Sequence, residues 1–165
     1  MICINETTFE IAEDVLGEDF TVLPGWFQCD DMIAETISLL NTKGYKTEFC
    51  CQGHISTSGY DYVNNIFHPE IIVSTPYITF SERYEFESLP EGWDPVDHEG
   101  EILEYPDGTE VEDHRISIYY DKISNDYMNM NMIFTGLTMN FYDELVVVMR
   151  RLLEWAISLP MNNKE

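Results

Sequence analysis

The 165-residue chain carries 31 acidic against 8 basic residues, a formal net charge of -23. A field of that sign repels DNA, RNA and anionic membranes and speeds encounter with basic surfaces. The length suits one domain with its own core, and no window reads as a membrane span.

The N-terminus shows neither the basic nor the apolar region of a secretory signal, so the expected location is the cytoplasm. The cysteines, Cys3, Cys29, Cys50 and Cys51, are then expected as reduced thiols, available for packing or for a metal.

Taken in order, Thr7-Thr8-Phe9-Glu10 has the letters of a capping box and predicts a short helix to Leu16, stopped by Gly17. An irregular stretch around Pro24-Gly25-Trp26 follows. Asp30 or Asp31 is the expected cap of a second helix, with Ile33, Ile37 and Leu40 on one apolar face. Asn41-Thr42-Lys43-Gly44 closes it, and Tyr45 to Cys51 reads as a strand. A polar loop is expected after His54, then strands at Ile71 to Val73 and Pro76 to Phe80.

Glu85 to Asp113 contains no Lys or Arg and reads as an acidic insertion of about residues 85–113. Pro106-Asp107-Gly108 predicts a turn between two short strands inside it. Arg115 to Tyr120 is a further strand. Asn140 is the expected cap of the last helix, whose buried side is Leu145, Val148, Met149, Leu152, Trp155, Ala156 and Leu159, and Pro160 ends it. The whole predicts a single α+β domain over residues 1–165, a mixed or antiparallel sheet of four to six strands packed by two or three helices.

Cys50-Cys51-Gln52-Gly53-His54 concentrates the chemistry. Cys51 and His54 have the C-x-x-H spacing that lets two ligands on a tight turn reach one ion, with Gly53 supplying the turn's freedom. A helix over residues 30–41 rises about 18 Å and a strand over 45–51 returns about 20–23 Å. The strand end therefore comes back beside the helix start, and Cys29 is expected next to Cys51 and His54. Two sulfurs and an imidazole suit zinc rather than calcium or magnesium. Cys50, His68, His98, His114 or water can complete the site, with His68 preferred. Cys50 is expected on the opposite strand face. Two buried thiols and a hydrogen-bonded histidine without metal are the competing arrangement.

The run from Cys29 through Leu40-Asn41-Thr42-Lys43-Gly44-Tyr45 to Cys50-Cys51-Gln52-Gly53-His54 resembles a group of small bacterial and phage proteins. These share a helix, an LNxKGY turn, a strand and a CCxGH corner. The strand at Pro76 to Phe80 and the helix at Leu152 to Ala156 fit the group, and the likeness spans about half the chain. It implies the metal corner and carries no common activity. In size and acidity the chain is also similar to phage anti-CRISPR proteins directed at Cas9. The Cys-x-Gly-His turn alone is similar to the tRNA wybutosine-synthesis methyltransferase-like family, whose turn usually ends in Arg.

The resulting expectation is a monomeric, zinc-stabilised, non-catalytic inhibitor of phage type, acting in a host cytoplasm. It would bind a basic nucleic-acid-binding host protein, with Cas9 as the named partner, and block its DNA interaction. Glu99, Glu101, Glu104 and Asp107 are the expected contact, with Trp93 and Tyr105 as apolar anchors. A zinc-dependent enzyme acting on a nucleotide or modified RNA is the alternative, and a plain zinc-stabilised domain a third reading.

Overall fold

The computed structural model describes residues 2–61, 66–122 and 134–162, without side chains over 56–72 and 134–138. Its strands are β1 Ile2–Asn5, β2 Ile11–Glu13, β3 Trp26–Cys29, β4 Thr47–Cys51, β5 His54–Asp61, β6 Ile66–Ser74, β7 Tyr77–Phe80, β8 Asp94–Asp97, β9 Ile102–Glu104, β10 Glu110–Glu112 and β11 Ile116–Tyr119. Among the described residues, two helices, α1 over Ala34–Thr42 and α2 over Phe134–Ser158, accompany these strands in an α+β fold. The sheets run β2-β1-β3, β4-β7-β11-β8, β5-β6 and β10-β9, and every described pairing is antiparallel. No helix among the described residues is long and apolar enough to cross a membrane.

The core lies where α1 and α2 meet the inner face of the four-stranded sheet. Ile33, Ile37 and Leu40 bury the α1 side, Ile78, Phe80 and Ile118 the sheet side, and Phe141, Leu145 and Leu152 the α2 side. Each such side chain, fully buried, contributes about 1.5–3 kcal/mol. Tyr45, Phe80, Tyr84, Phe86 and Trp155 form one aromatic cluster with ring centroids 5.1–6.3 Å apart. The stripe expected on the last helix is buried from Leu145 to Ala156, with Leu159 partly covered.

The LNxKGY stretch has a structural purpose. Asn41 is buried, accepts the Thr47 N–H at 3.1 Å and donates to Ile37 O at 2.8 Å, which locks the turn. Lys43 Nζ donates to the carbonyls of Ala156, Ile157 and Leu159 at 2.9, 2.6 and 2.6 Å. Those carbonyls lie at and just past the C-terminus of α2, where a cation is favoured, although Ala156 O also accepts the Leu159 N–H at 3.3 Å. Gly44 sits at φ +92, and a Cβ there would stand 2.7 Å from Asn162 O. Tyr45 Oη donates to Pro160 O at 2.8 Å. A short motif near residue 43 therefore docks the end of a helix more than a hundred residues later.

Four sequence expectations are corrected. The capping-box letters at Thr7 to Glu10 do not start a helix. Asn5 Oδ1 accepts the Thr7 and Thr8 N–H groups at 2.9 Å, Phe9 adopts φ +60, and the chain enters β2. α1 begins at Ala34, with Ile33 as a cap that makes no side-chain bond, because Asp30 is used elsewhere. The polar stretch after His54 is the long strand β5, paired with β6. Asn140 lies inside α2, which starts six residues earlier.

Candidate functional site

The end of β3, the turn before α1 and the β4–β5 corner converge. Asp30 Oδ2 accepts the Gln52 N–H at 3.0 Å, and Gln52 Oε1 accepts the Met32 N–H at 2.8 Å, so the two turns clasp each other. Gly53 takes φ +91, with room for a Cβ refused by Pro76 at 3.0 Å and Ser74 O at 3.1 Å. That conformation aims the Gly53 N–H at Cys51 Sγ, 3.3 Å away. The His54 N–H donates to Ser74 Oγ at 3.0 Å, which ties the corner to β6. His54 Nε2 lies 3.1 Å from Asp30 Oδ2.

Asp30, Cys51 and His54 thus offer a carboxylate oxygen, a sulfur and an imidazole nitrogen within 4.8 Å of one another. Such a set can hold a metal ion. Burial, and then the Asp30 carboxylate, push the Cys51 thiol up, while the Gly53 N–H pulls it down. A bound cation would reverse that balance, because a coordinating thiol is deprotonated. The Tyr77 phenol beside it is pushed up by burial and then by Cys51, Cys50 and Asp30.

The expected ligands are only partly brought together. Cys51 and His54 share the centre. Cys29 does not join them: its sulfur meets Cys50 Sγ at 3.6 Å. Strand alternation is the reason. Cys50 pairs with the buried Ile78 and faces the core, where Cys29 arrives, whereas Cys51 pairs with Tyr77 and faces the other side. The hydrogen bond and burial raise the Cys29 thiol strongly, and the same bond lowers Cys50. The side chain of His68 lies outside the described residues. Asp30 is the donor that sequence reasoning missed by treating it as a helix cap.

A second group, His98, Glu101 and Asp113, also lies within ligand distance. Its groups are already satisfied. His98 Nδ1 is 3.2 Å from Glu101 Oε2 and Nε2 is 2.8 Å from Ser117 Oγ. The buried Asp113 takes a two-pronged bond from Arg115, Nε and the second terminal nitrogen both at 2.9 Å, which holds its carboxyl at about 2. The first group is the better metal candidate.

The acidic segment first supplies β8 to the four-stranded sheet and then forms an arm, the exposed β9–β10 hairpin. Glu99, Glu101, Glu104 and Asp107 are all exposed. Glu99 nevertheless binds Arg83 at 2.6 Å and Glu101 meets His98, so Glu104 and Asp107 are the freer pair of the four for a partner cation. Across the β9–β10 ladder Glu104 stands directly opposite Glu110. Trp93 is not an anchor. It is 5% exposed and packs on Tyr120 with centroids 6.0 Å apart, because Gly92 at φ +86 turns the chain inward. Its Nε1 finds no acceptor among the described residues. Tyr105, Ile102 and Val111, 46–61% exposed, are the apolar groups that the arm presents.

No family model, curated protein or solved structure matches the chain.

Proposed function

We propose that the protein acts by docking: its acidic arm binds a basic, nucleic-acid-binding host protein and blocks the DNA interaction of that protein. The observation that carries this reading is Glu104 facing Glu110 across an exposed two-stranded ladder, with exposed Ile102 on the same face opposite Glu112. Like charges directly opposite on a ladder destabilise it, and a partner Lys or Arg between them relieves the repulsion. Apolar groups flanked by carboxylates give such a contact both steering and an anchor. A Cas9-type effector, with its basic channel, is the partner suggested by the likeness in size and charge to anti-CRISPR proteins.

Zinc belongs to this proposal at Asp30, Cys51 and His54, where it would staple the α1 approach to the β4–β5 corner. A carboxylate, a thiolate and an imidazole suit it. Protein purified without chelator should carry close to one zinc per chain, and Cys51→Ser should lose it. Metal-free wild type in elemental analysis rules the ion out.

The docking test is a titration of purified Cas9-type effector at two salt concentrations, with wild type and a Glu104→Lys/Glu110→Lys/Glu112→Lys variant. Glu99 and Glu101 are left in place because they hold Arg83 and His98. Wild type should bind more weakly at higher salt and the variant more weakly at both. Equal affinity in all four measurements removes the docking reading.

Two observations favour a metal-dependent enzyme acting on a nucleotide or modified RNA instead. The centre has three protein donors, the number found in catalytic zinc sites. It also adjoins an open depression of about 460 Å³ lined by Ser74, Tyr77, Val96, His98, Ser117 and Tyr119. Turnover of a nucleotide panel that disappears in His54→Ala would establish this reading and replace the first.

A further inference from the structure

We infer that Cys29 and Cys50 are a reversible oxidation site, closing to a disulfide that bolts the three-stranded sheet to the four-stranded one. The observation is positional. The two sulfurs lie 3.6 Å apart, one at the end of β3 and one on the inward face of β4. A disulfide needs about 2.0 Å, so the sulfurs must approach by roughly 1.5 Å, a distance that side-chain rotation can supply.

The backbones on either side are already held together. Cys29 pairs with Ile2 in one sheet, and Cys50 pairs with Ile78 in the other. The Asp30–Gln52 and Met32–Gln52 hydrogen bonds tie the next residues along, so the sulfurs cannot drift apart without breaking the clasp. Cys29 is 5% exposed and Cys50 is half-buried, so Cys50 is the less buried member of the pair. Cys51 does not compete, since its sulfur faces the other side and takes the Gly53 N–H.

Hydrogen peroxide is the oxidant class proposed. The Cys50 sulfur attacks one peroxide oxygen, the O–O bond breaks and an S–O bond forms. The product is a sulfenic acid, and the other oxygen leaves as water with the thiol proton. The Cys29 sulfur then attacks the Cys50 sulfur. The S–S bond forms, the S–O bond breaks, and a second water leaves with the Cys29 proton. Peroxide gains two electrons, and the two thiols lose two hydrogens. A dithiol reductant returns both thiols.

The experiment treats the folded, full-length chain with stoichiometric hydrogen peroxide, blocks remaining thiols with N-ethylmaleimide after unfolding, and weighs the intact protein. Two of the four cysteines should escape alkylation, with the unblocked oxidised chain lighter by two hydrogens. Peptide mapping should join Cys29 to Cys50, and dithiothreitol should restore four alkylatable thiols. Cys29→Ser should stop at a Cys50 sulfenic acid that dimedone traps. Four alkylated thiols after peroxide, a bond between another pair, or over-oxidation with no cross-link would each overturn the inference. Cys3→Ser serves as the control: it leaves this pair intact and should still cross-link.

Discussion

Replacing Lys43 by Met removes the ammonium and keeps most of the stem. The group donates to three carbonyls at and just past the C-terminus of α2 at 2.6–2.9 Å. A hydrogen bond from a charged group is worth about 1.5–3 kcal/mol, and a cation at a helix C-terminus contributes up to about 2 kcal/mol in favourable sites. The three bonds share one ammonium that was well hydrated in the unfolded chain, so they do not add. A loss of about 2–3 kcal/mol follows from those figures. For a chain of this size, that is a drop in melting temperature of roughly 5–10 °C. Lys43→Arg should recover part of it. Thermal and urea unfolding followed by circular dichroism give the number, with the urea slope reporting whether the transition stays two-state. A Lys43→Met protein within about 0.5 kcal/mol of wild type, the range of ordinary surface substitutions, would refute the cap. The LNxKGY motif would then need another explanation.

Gly92→Ala should cost more than a surface change, since φ is +86 and its Cβ would stand 2.4 Å from Tyr120 Cε2. A loss of about 2 kcal/mol or more is expected from strain and overpacking, read by urea unfolding and by altered Trp93 fluorescence. Asp113 is lowered from 3.8 to about 2, first by the hydrogen bond from Arg115. Its contribution is therefore full above pH 4 and is lost as pH falls from about 4 to 2. Asp113→Asn should flatten that limb of the stability–pH curve, and an unchanged limb would assign the acid sensitivity to other carboxylates. Glu110→Lys turns the repulsive pair with Glu104 into an attractive one and should stabilise the hairpin by about 0.2–1 kcal/mol. Backbone hydrogen exchange at Leu103 and Val111 measures it, and faster exchange would contradict the repulsion.

The Cys51–His54 corner was legible because its geometry is local: four residues, one glycine and an obligatory turn. The stripe from Leu145 to Ala156 was legible because helical spacing repeats across it. Asp30 was not, since Asp just before an apolar run reads equally as a cap, and only the arrival of Gln52 from β4 decides its use. The partner of Cys29 follows from strand alternation, which turns Cys50 and not Cys51 toward the side where Cys29 arrives. The threonines and glutamate before β2 carry the same letters as a helix start. Asn5 captures the two threonine amides first, and no sustained apolar period follows to support a helix. Trp93 amid acids reads as exposed. What buries it is Tyr120, a contact across twenty-seven positions that local pattern does not report.

Among the described residues, the four-stranded sheet ends on β4 and β8. An open edge is a template on which another chain's strand can grow, and these two edges are poor templates. β8 places Pro95, which has no N–H, between Asp94 and Val96, with Asp97 beyond. β4 breaks register between Thr47 and Phe49, where Glu48 sits exposed. An incoming strand would meet a missing donor and carboxylates on one side and a kink on the other. Added to the repulsion between copies each carrying -23, this predisposes the protein to stay dispersed when crowded. Growth of another copy's strand on either edge of this sheet is thereby disfavoured.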